Sequence, residues 1–178
     1  AGSLPLRLVA YPRNQGKGHA VRQGMLAAGG DVVVFMDADG ATPPSEIGRV
    51  VEPIAAYGAD IVLGSRRVPG AHIAQHQPPH RRAIGRAFSL HNRLVLGIPF
   101  LDTQCGLKAF KGGVVQQVFS DLRCTGFAFD LELSATALAR GLRVVEVGVA
   151  WHDVPGSTVS PLRDGLRMLV AAWRVRGR

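Results

Sequence analysis

The sequence predicts an α/β domain built on a mostly parallel sheet, and three observations carry this. The run Val32–Met36 is apolar throughout and rich in β-branched residues, the pattern of a strand buried on both faces, and residues 60–64 (DIVLG) come close to repeating it. Between the two, residues 45–57 space Ile47, Val50, Val51 and Ile54 along one helical face. Strand, helix, strand and helix then recur down the chain, an order that right-handed crossovers resolve into a doubly wound sheet. The 178 residues, 47% of them hydrophobic, suffice for one compact core.

Taken in order, residues 6–11 read as a first short strand and 12–17 as a loop. Gly16, Lys17 and Gly18 then precede a helical pattern that sets Ala20, Val21, Met25 and Ala28 on its apolar face, with Arg22 and Gln23 off it. A glycine-flanked lysine at a helix start can hold a diphosphate through amides, dipole and ammonium; the alternative is a polar loop whose glycines serve the turn. It is not a Walker A loop, because GxxxxGK[ST] is absent.

The strand Val32–Met36 ends on Asp37 and Asp39, spaced i,i+2, with Ala38 and Gly40 adding no bulk. Open α/β sheets place ligands at the carboxyl ends of such strands. Two carboxylates that close need a cation, and a hard divalent ion on a diphosphate supplies one; otherwise they are solvated turn aspartates. Thr42 reads as the N-cap of the following helix, with Pro43 and Pro44 at its first positions, Pro53 imposing a kink or break, and Gly58 as C-cap. The strand 60–64 runs into Ser65, Arg66 and Arg67, so Arg66 leaves the same sheet edge as Asp37 and Asp39. A guanidinium there pairs either with phosphate oxygens or with the carboxylates themselves.

Residues 68–79 form a long loop with three prolines. His72, His76 and His80 recur every four residues, but Pro78 and Pro79 oppose the continuous helix that would align them on a metal. Residues 80–96 read as a helix mixing Arg81, Arg82, Arg86 and Arg93 with Ile84, Phe88, Leu90 and Leu94, suited to lipid head groups or to an ordinary arginine-rich solvent face. Asp102, Thr103 and Gln104 make a polar loop before the strand LKAF, and Gly112–Phe119 is a short helix. In the helix 127–140, Asp130 enters the first turn, placed to act as a base or orienter or simply to complement the helix dipole. Residues 142–149 are an edge or near-edge strand. The last segment, 161–178, sets Leu162, Leu166, Leu169, Val170 and Trp173 on one face with arginines around the rim, a pattern for a membrane interface or for packing on the sheet.

The net charge of +8 suits phosphate-rich or anionic partners. Nucleic acid is not expected: aromatics are 6% of the chain, and neither an RNP-like platform nor a GxxG loop is present. Cys105 and Cys124 give no disulfide framework or metal-binding pair and are read as reduced and structural. No apolar run reaches the length of a bilayer span, and no export leader is evident.

The segments NQGKGHAVRQGM, VVVFMDADGATPP, IVLGSRR, LDTQCGLKAF, FAFDLEL and EVGVAWHDVPGSTVSPLRD, in this order and spacing, resemble the polyprenyl (dolichyl) phosphate sugar transferases of glycosyltransferase family 2, most nearly the dolichyl-phosphate β-glucosyltransferase branch. The resemblance covers nearly the whole chain. It implies a Rossmann-like GT-A fold, a nucleotide-sugar donor, a Mg or Mn ion and an inverting transfer, by a peripheral enzyme at the cytoplasmic face of a membrane. UDP-glucose is the implied donor, GDP-mannose the alternative, and a polyprenyl phosphate lipid the acceptor.

Carried over by motif, Asp37 and Asp39 resemble the DXD pair, with Asp39 chelating the metal and Asp37 holding the sugar or ribose end. Lys17 and Arg22 resemble residues near the nucleotide sugar, and Arg66 the arginine that meets the lipid phosphate or diphosphate. Asp102, with Gln104 close by, matches the family's acidic residue beside the acceptor, and Asp130 an acceptor-side aspartate. The resemblance divides the chain into a truncated catalytic domain at 1–160 and an amphipathic basic helix at 161–178. Family members begin with a strand and loop of the form VPAYNE, then a helix and an aspartate-bearing strand that cradle the base. Those first β-α-β elements are not in this sequence, so an amino-terminal part outside it, or a second chain, is expected to complete the pocket. The rival reading is a non-catalytic or partner-dependent basic module binding anionic lipid or nucleotide.

Overall fold

The computed structural model describes residues 5–74, 79–154 and 161–176, with the side chains of 79–82 and 161–167 left out of account. The elements run α1 (Lys17–Ala27), β1 (Val32–Met36), a 3-10 turn (Pro44–Glu46), α2 (Ile47–Tyr57), β2 (Ile61–Ser65), β3 (His72–Ile73), α3 (Pro79–Leu96), β4 (Leu107–Lys111), α4 (Gly112–Phe119), α5 (Phe129–Ala139), β5 (Val144–Gly148), β6 (Ala150–Trp151) and α6 (Pro161–Arg176). The main sheet has the order β1-β4-β2-β5. β5 lies parallel to β2, while β4 is antiparallel to both β1 and β2. Strands β1, β2 and β5 therefore share one direction, as the sequence predicts, and β4 is inserted against them. Its amino-terminal end at Leu107 meets the carboxyl end of β1 at Met36. That reversal brings the 102–106 loop to the ligand edge.

Side-chain alternation divides the core into two layers. Val33, Ile61, Leu63 and Phe110 face α1, α4 and α5 through Val21, Met25, Val115, Val118, Phe129 and Leu133. Val62, Leu107 and Ala109 face α2 through Val50 and Ile54. A smaller cluster of Ile98, Leu131 and Ala172 binds α5 to α6 and the end of α3. β2 is buried along its whole length, as a strand covered on both faces requires.

Four expectations change. Residues 6–11 form no strand; Leu6 and Leu8 are 96% and 85% exposed, and among the described residues no strand lies beside them to complete a ladder. Thr42 caps no helix, because Pro43 takes the N-cap position of the 3-10 turn and α2 starts only at Ile47. At Pro53 the break, one of the two outcomes expected there, does not occur, and α2 continues to the expected Gly58 C-cap. Within the expected loop 68–79, His72–Ile73 pairs parallel with Ala150–Trp151; His76 lies outside the described residues. Helix α6 packs on α3 and α5. Among the described residues no helix is long and apolar enough to cross a membrane.

Candidate active site

The glycine-lysine-glycine turn is built by close packing. Gly16 has φ 93°, a left-handed conformation that side chains disfavour, and a Cβ on Gly18 would lie 2.2 Å from the Cys124 carbonyl oxygen. The start of α1 is thereby pressed onto residues 124–126, with the His19 amide donating to the Thr125 carbonyl at 3.2 Å. This aims Lys17 across the end of β1, where its Nζ lies 2.7 Å from Asp37 Oδ2. The ammonium also stands 5.8 Å over the Phe35 ring and 6.0 Å over that of Phe127.

Asp37 is fixed from below by Gly106. The Asp37 amide donates to the Gly106 carbonyl at 2.8 Å, and a Cβ at Gly106 would fall 2.4 Å from Asp37 Oδ2. Asp39 is exposed at the turn that follows, and its Oδ1 accepts from the Ala41 amide at 3.0 Å. The turn is tied to β6: the Ala41 carbonyl accepts from the His152 amide, and Glu46 Oε2 accepts from the Ala150 amide. A cleft of about 510 Å³ opens beside it, walled by Pro43, His72, Ile73, Trp151 and His152.

At the end of β2, Arg66 Nε and Nη2 donate to the two oxygens of Asp102 at 2.6 and 2.8 Å, and the Arg66 amide adds a third bond at 3.0 Å. The guanidinium also lies 5.3 Å over the Trp151 ring. Burial favours the neutral form of Asp102, but the charge and hydrogen bonds of Arg66 outweigh it and hold the carboxyl down to about 2. Burial likewise opposes the Arg66 charge, and Asp102 reverses this, leaving its pKa raised. Glu146 on β5 holds the loop itself, accepting from the Leu101 and Asp102 amides at 2.7 and 2.9 Å. Neighbouring Arg67 donates to Gly85, Ser89 and Leu101, clamping α3 to that loop. An aspartate so completely engaged is an orienter of Arg66.

Asp130 in the first turn of α5 is buried, and Lys108 of β4 brings Nζ to 2.8 Å from its Oδ1. The same ammonium donates to the Cys105 carbonyl at 2.6 Å, so Lys108 joins the buried acid to the loop before β4. Burial pushes the Asp130 carboxyl above its usual range, with the Lys108 charge working against the rise. Burial also pushes the Cys105 thiol up. Lys108 escapes a sequence reading that takes LKAF only as a strand, although a lysine inside an otherwise apolar strand is itself the signal that a buried acid awaits it.

Two expected site residues have their side chains engaged by helices. Arg22 turns to the carboxyl end of α4, donating to the Phe119 and Ser120 carbonyls at 2.9 and 3.0 Å, where a cation meets the helix dipole. The Gln104 amide is taken up by Met168 Sδ of α6, 2.9 Å away. Lys17, Asp37, Asp39, Arg66 and Asp102 do gather at one rim, with Asp130 buried beneath it.

Among the described residues no three His, Cys, Asp or Glu side chains converge as a metal cage. An exposed Asp39 carboxylate with Asp37 close by still fits a hard divalent ion that takes its other oxygens from a diphosphate and water. Asp37 already carries the Lys17 ammonium on Oδ2, whereas Asp39 is exposed and, among the described residues, has no such ion pair.

Residues 2–119 match the profile of glycosyl transferase family 2. The chain belongs to that family. Among its relatives, this family 2 chain is 29% identical over 177 residues to the dolichyl-phosphate beta-glucosyltransferase of Saccharomyces cerevisiae, a match covering 91% of the chain and 52% of the yeast protein. It is 32% identical over 158 residues to the polyprenol monophosphomannose synthase of Mycolicibacterium smegmatis, covering 86% of the chain and 58% of that protein. The chain thus spans about half the length of the curated relatives it matches. The fold is that of glucosyl-3-phosphoglycerate synthase from Mycobacterium tuberculosis, solved with Mn2+, UDP-glucose and glycerol 3-phosphate. The TM-score is 0.65 at 21% identity, over 97% of this chain and 56% of that one.

Proposed function

We propose that this family 2 chain transfers glucose from UDP-glucose to a polyprenyl or dolichyl phosphate, in one displacement with inversion at the anomeric carbon. One observation carries the reading: the Lys17–Asp37 pair, exposed Asp39 and the Arg66–Asp102 pair all end on the same sheet edge. In this reading a diphosphate side, with the Lys17 ammonium, and an anion-binding guanidinium, Arg66, adjoin. The names of the relatives support the sugar and the lipid phosphate, with GDP-mannose the alternative donor.

Asp39, with Asp37 beside it, would hold Mg2+ or Mn2+, and that ion when bound neutralises a departing diphosphate. Lys17 adds a second cation at the same place. Arg66, locked by Asp102 through Nε and Nη2, keeps its Nη1 side for an incoming phosphate. A phosphate acceptor is already anionic near neutral pH, so alignment and charge neutralisation take the place of a strong base.

The outer face of α3 and α6 exposes Ile84, Leu90, Leu94, Val170 and Trp173 among Arg86, Arg93, Arg174 and Arg176. In this reading that face rests on the cytoplasmic surface of an anionic membrane that holds the acceptor. The test is a screen of UDP-glucose, GDP-mannose and UDP-N-acetylglucosamine against polyprenyl phosphate with Mg2+ or Mn2+. Glucose transfer is expected; turnover with hydroxyl acceptors and none with the phosphate would sink the reading.

A further inference from the structure

Lys108 is 1% exposed, in a strand position facing α5. Its ammonium lies 2.8 Å from Asp130 Oδ1 and 5.7 Å over the Phe35 ring, the same ring that carries Lys17. Asp130 feels the charges of Arg66, Lys17 and Asp37. A buried charge pair therefore sits beneath the rim where acceptor and diphosphate meet in the proposed reaction. The two classes of acceptor make opposite demands on such a place. A hydroxyl must lose its proton, and a carboxylate without a cation would take it. A phosphate has no need to lose one and is repelled by that same carboxylate, the more so across a poorly screened interior.

We propose that Lys108 is a specificity-determining positioning residue: paired with Asp130, it withdraws both the base and the negative field from the acceptor side, committing the site to an acceptor that is already an anion, a phosphate monoester. This rests on the sugar-transfer reading above and assigns its acceptor preference to a pair that touches neither substrate.

The experiment measures calorimetric binding of geranyl phosphate and of geraniol to the full chain and to Lys108→Met, Asp130→Asn and the double variant, with the unfolding temperature of each. Lys108→Met is expected to weaken geranyl phosphate binding about tenfold once the pH is high enough to ionise the bared Asp130 carboxyl, whose neutral form burial favours. The double variant is expected to return to within about threefold of the parent, as loss of both charges removes the repulsion. Geraniol binding stays level throughout. Asp130→Asn keeps kcat with polyprenyl phosphate within about threefold, whereas loss of a general base would cost about a hundredfold or more. If Lys108→Met fails to fold, the nearly isosteric Asp130→Asn decides alone by its affinity and kcat. The proposal is overturned by unchanged affinity in Lys108→Met, by a double variant as weak as Lys108→Met, or by collapse of kcat in Asp130→Asn. A chain that shows the binding pattern but transfers no sugar removes the transfer reading and leaves the pairing standing; one that binds no geranyl phosphate removes both.

Discussion

Asp102 accepts two guanidinium hydrogen bonds from Arg66 and a third from the Arg66 backbone, so the first residue beyond β2 and the loop before β4 act as one unit. Because Arg66 is held by an acid rather than by solvent, its guanidinium keeps a fixed orientation. That rigidity costs a buried ion pair, and its acid dependence is measurable.

The Asp102 carboxyl is held at about 2, below its ordinary 3.8. A lowered folded value gives stability that is fully present above the unfolded value and lost as pH falls through the folded one. The window therefore runs from about pH 4 down to about pH 2, with roughly 2 kcal/mol at stake. Asp102→Asn is expected to flatten this acid limb in denaturant titrations between pH 2 and 5. At pH 7 it should also lose about 3 kcal/mol by leaving the Arg66 charge unpaired.

Gly106→Ala would press a methyl group into the Asp37 carboxylate. Asp37 must swing away, and with it Lys17. Affinity for Mn2+ with UDP is expected to fall about tenfold, read by paramagnetic resonance, while the fold survives with a loss of about 1–3 kcal/mol typical of overpacking.

Asp39→Ala removes the exposed carboxylate at the DADG turn. Metal-dependent glucose transfer is expected to drop by about a hundredfold or more, since a hard ion is bound through few carboxylates and losing one leaves mainly substrate oxygens. Turnover that persists and still depends on Mn2+ would contradict the assignment.

Arg22→Met tests a residue that the motif assigns to the donor and the structure assigns to α4. Losing two bonds to helix-end carbonyls should cost about 1–2 kcal/mol in chemical denaturation. The Michaelis constant for the nucleotide sugar should stay within about twofold, because the guanidinium is held by the carboxyl end of α4.

Leu94 and Trp173 are 74% and 58% exposed on the face proposed to meet the membrane. Replacing both with Glu should abolish co-sedimentation with vesicles containing phosphatidylserine, since burial of two large apolar groups is lost and two repelling charges are added. Activity on a short, soluble isoprenyl phosphate should be kept.

Local pattern revealed most of the elements and the charged residues that meet at the rim. The apolar β-branched runs made β1 and β2 legible, and the carboxylates and arginine at their ends followed, because strand direction decides which edge they reach. The family was legible in the motifs for the same reason: they are contiguous stretches fixed to strand ends and helix starts. Residues 6–11 misled because a strand pattern records willingness to pair, and pairing needs a neighbour that pattern cannot supply. Only the tertiary structure decided that β4 runs backwards between β1 and β2, which sets Gly106 under Asp37 and Lys108 against Asp130. It also gave Arg22 to α4, Gln104 to α6 and Asp102 to Arg66. Those choices depend on which charges are buried together, and partners such as Arg22 and Phe119, 97 residues apart, meet only when the sheet is assembled.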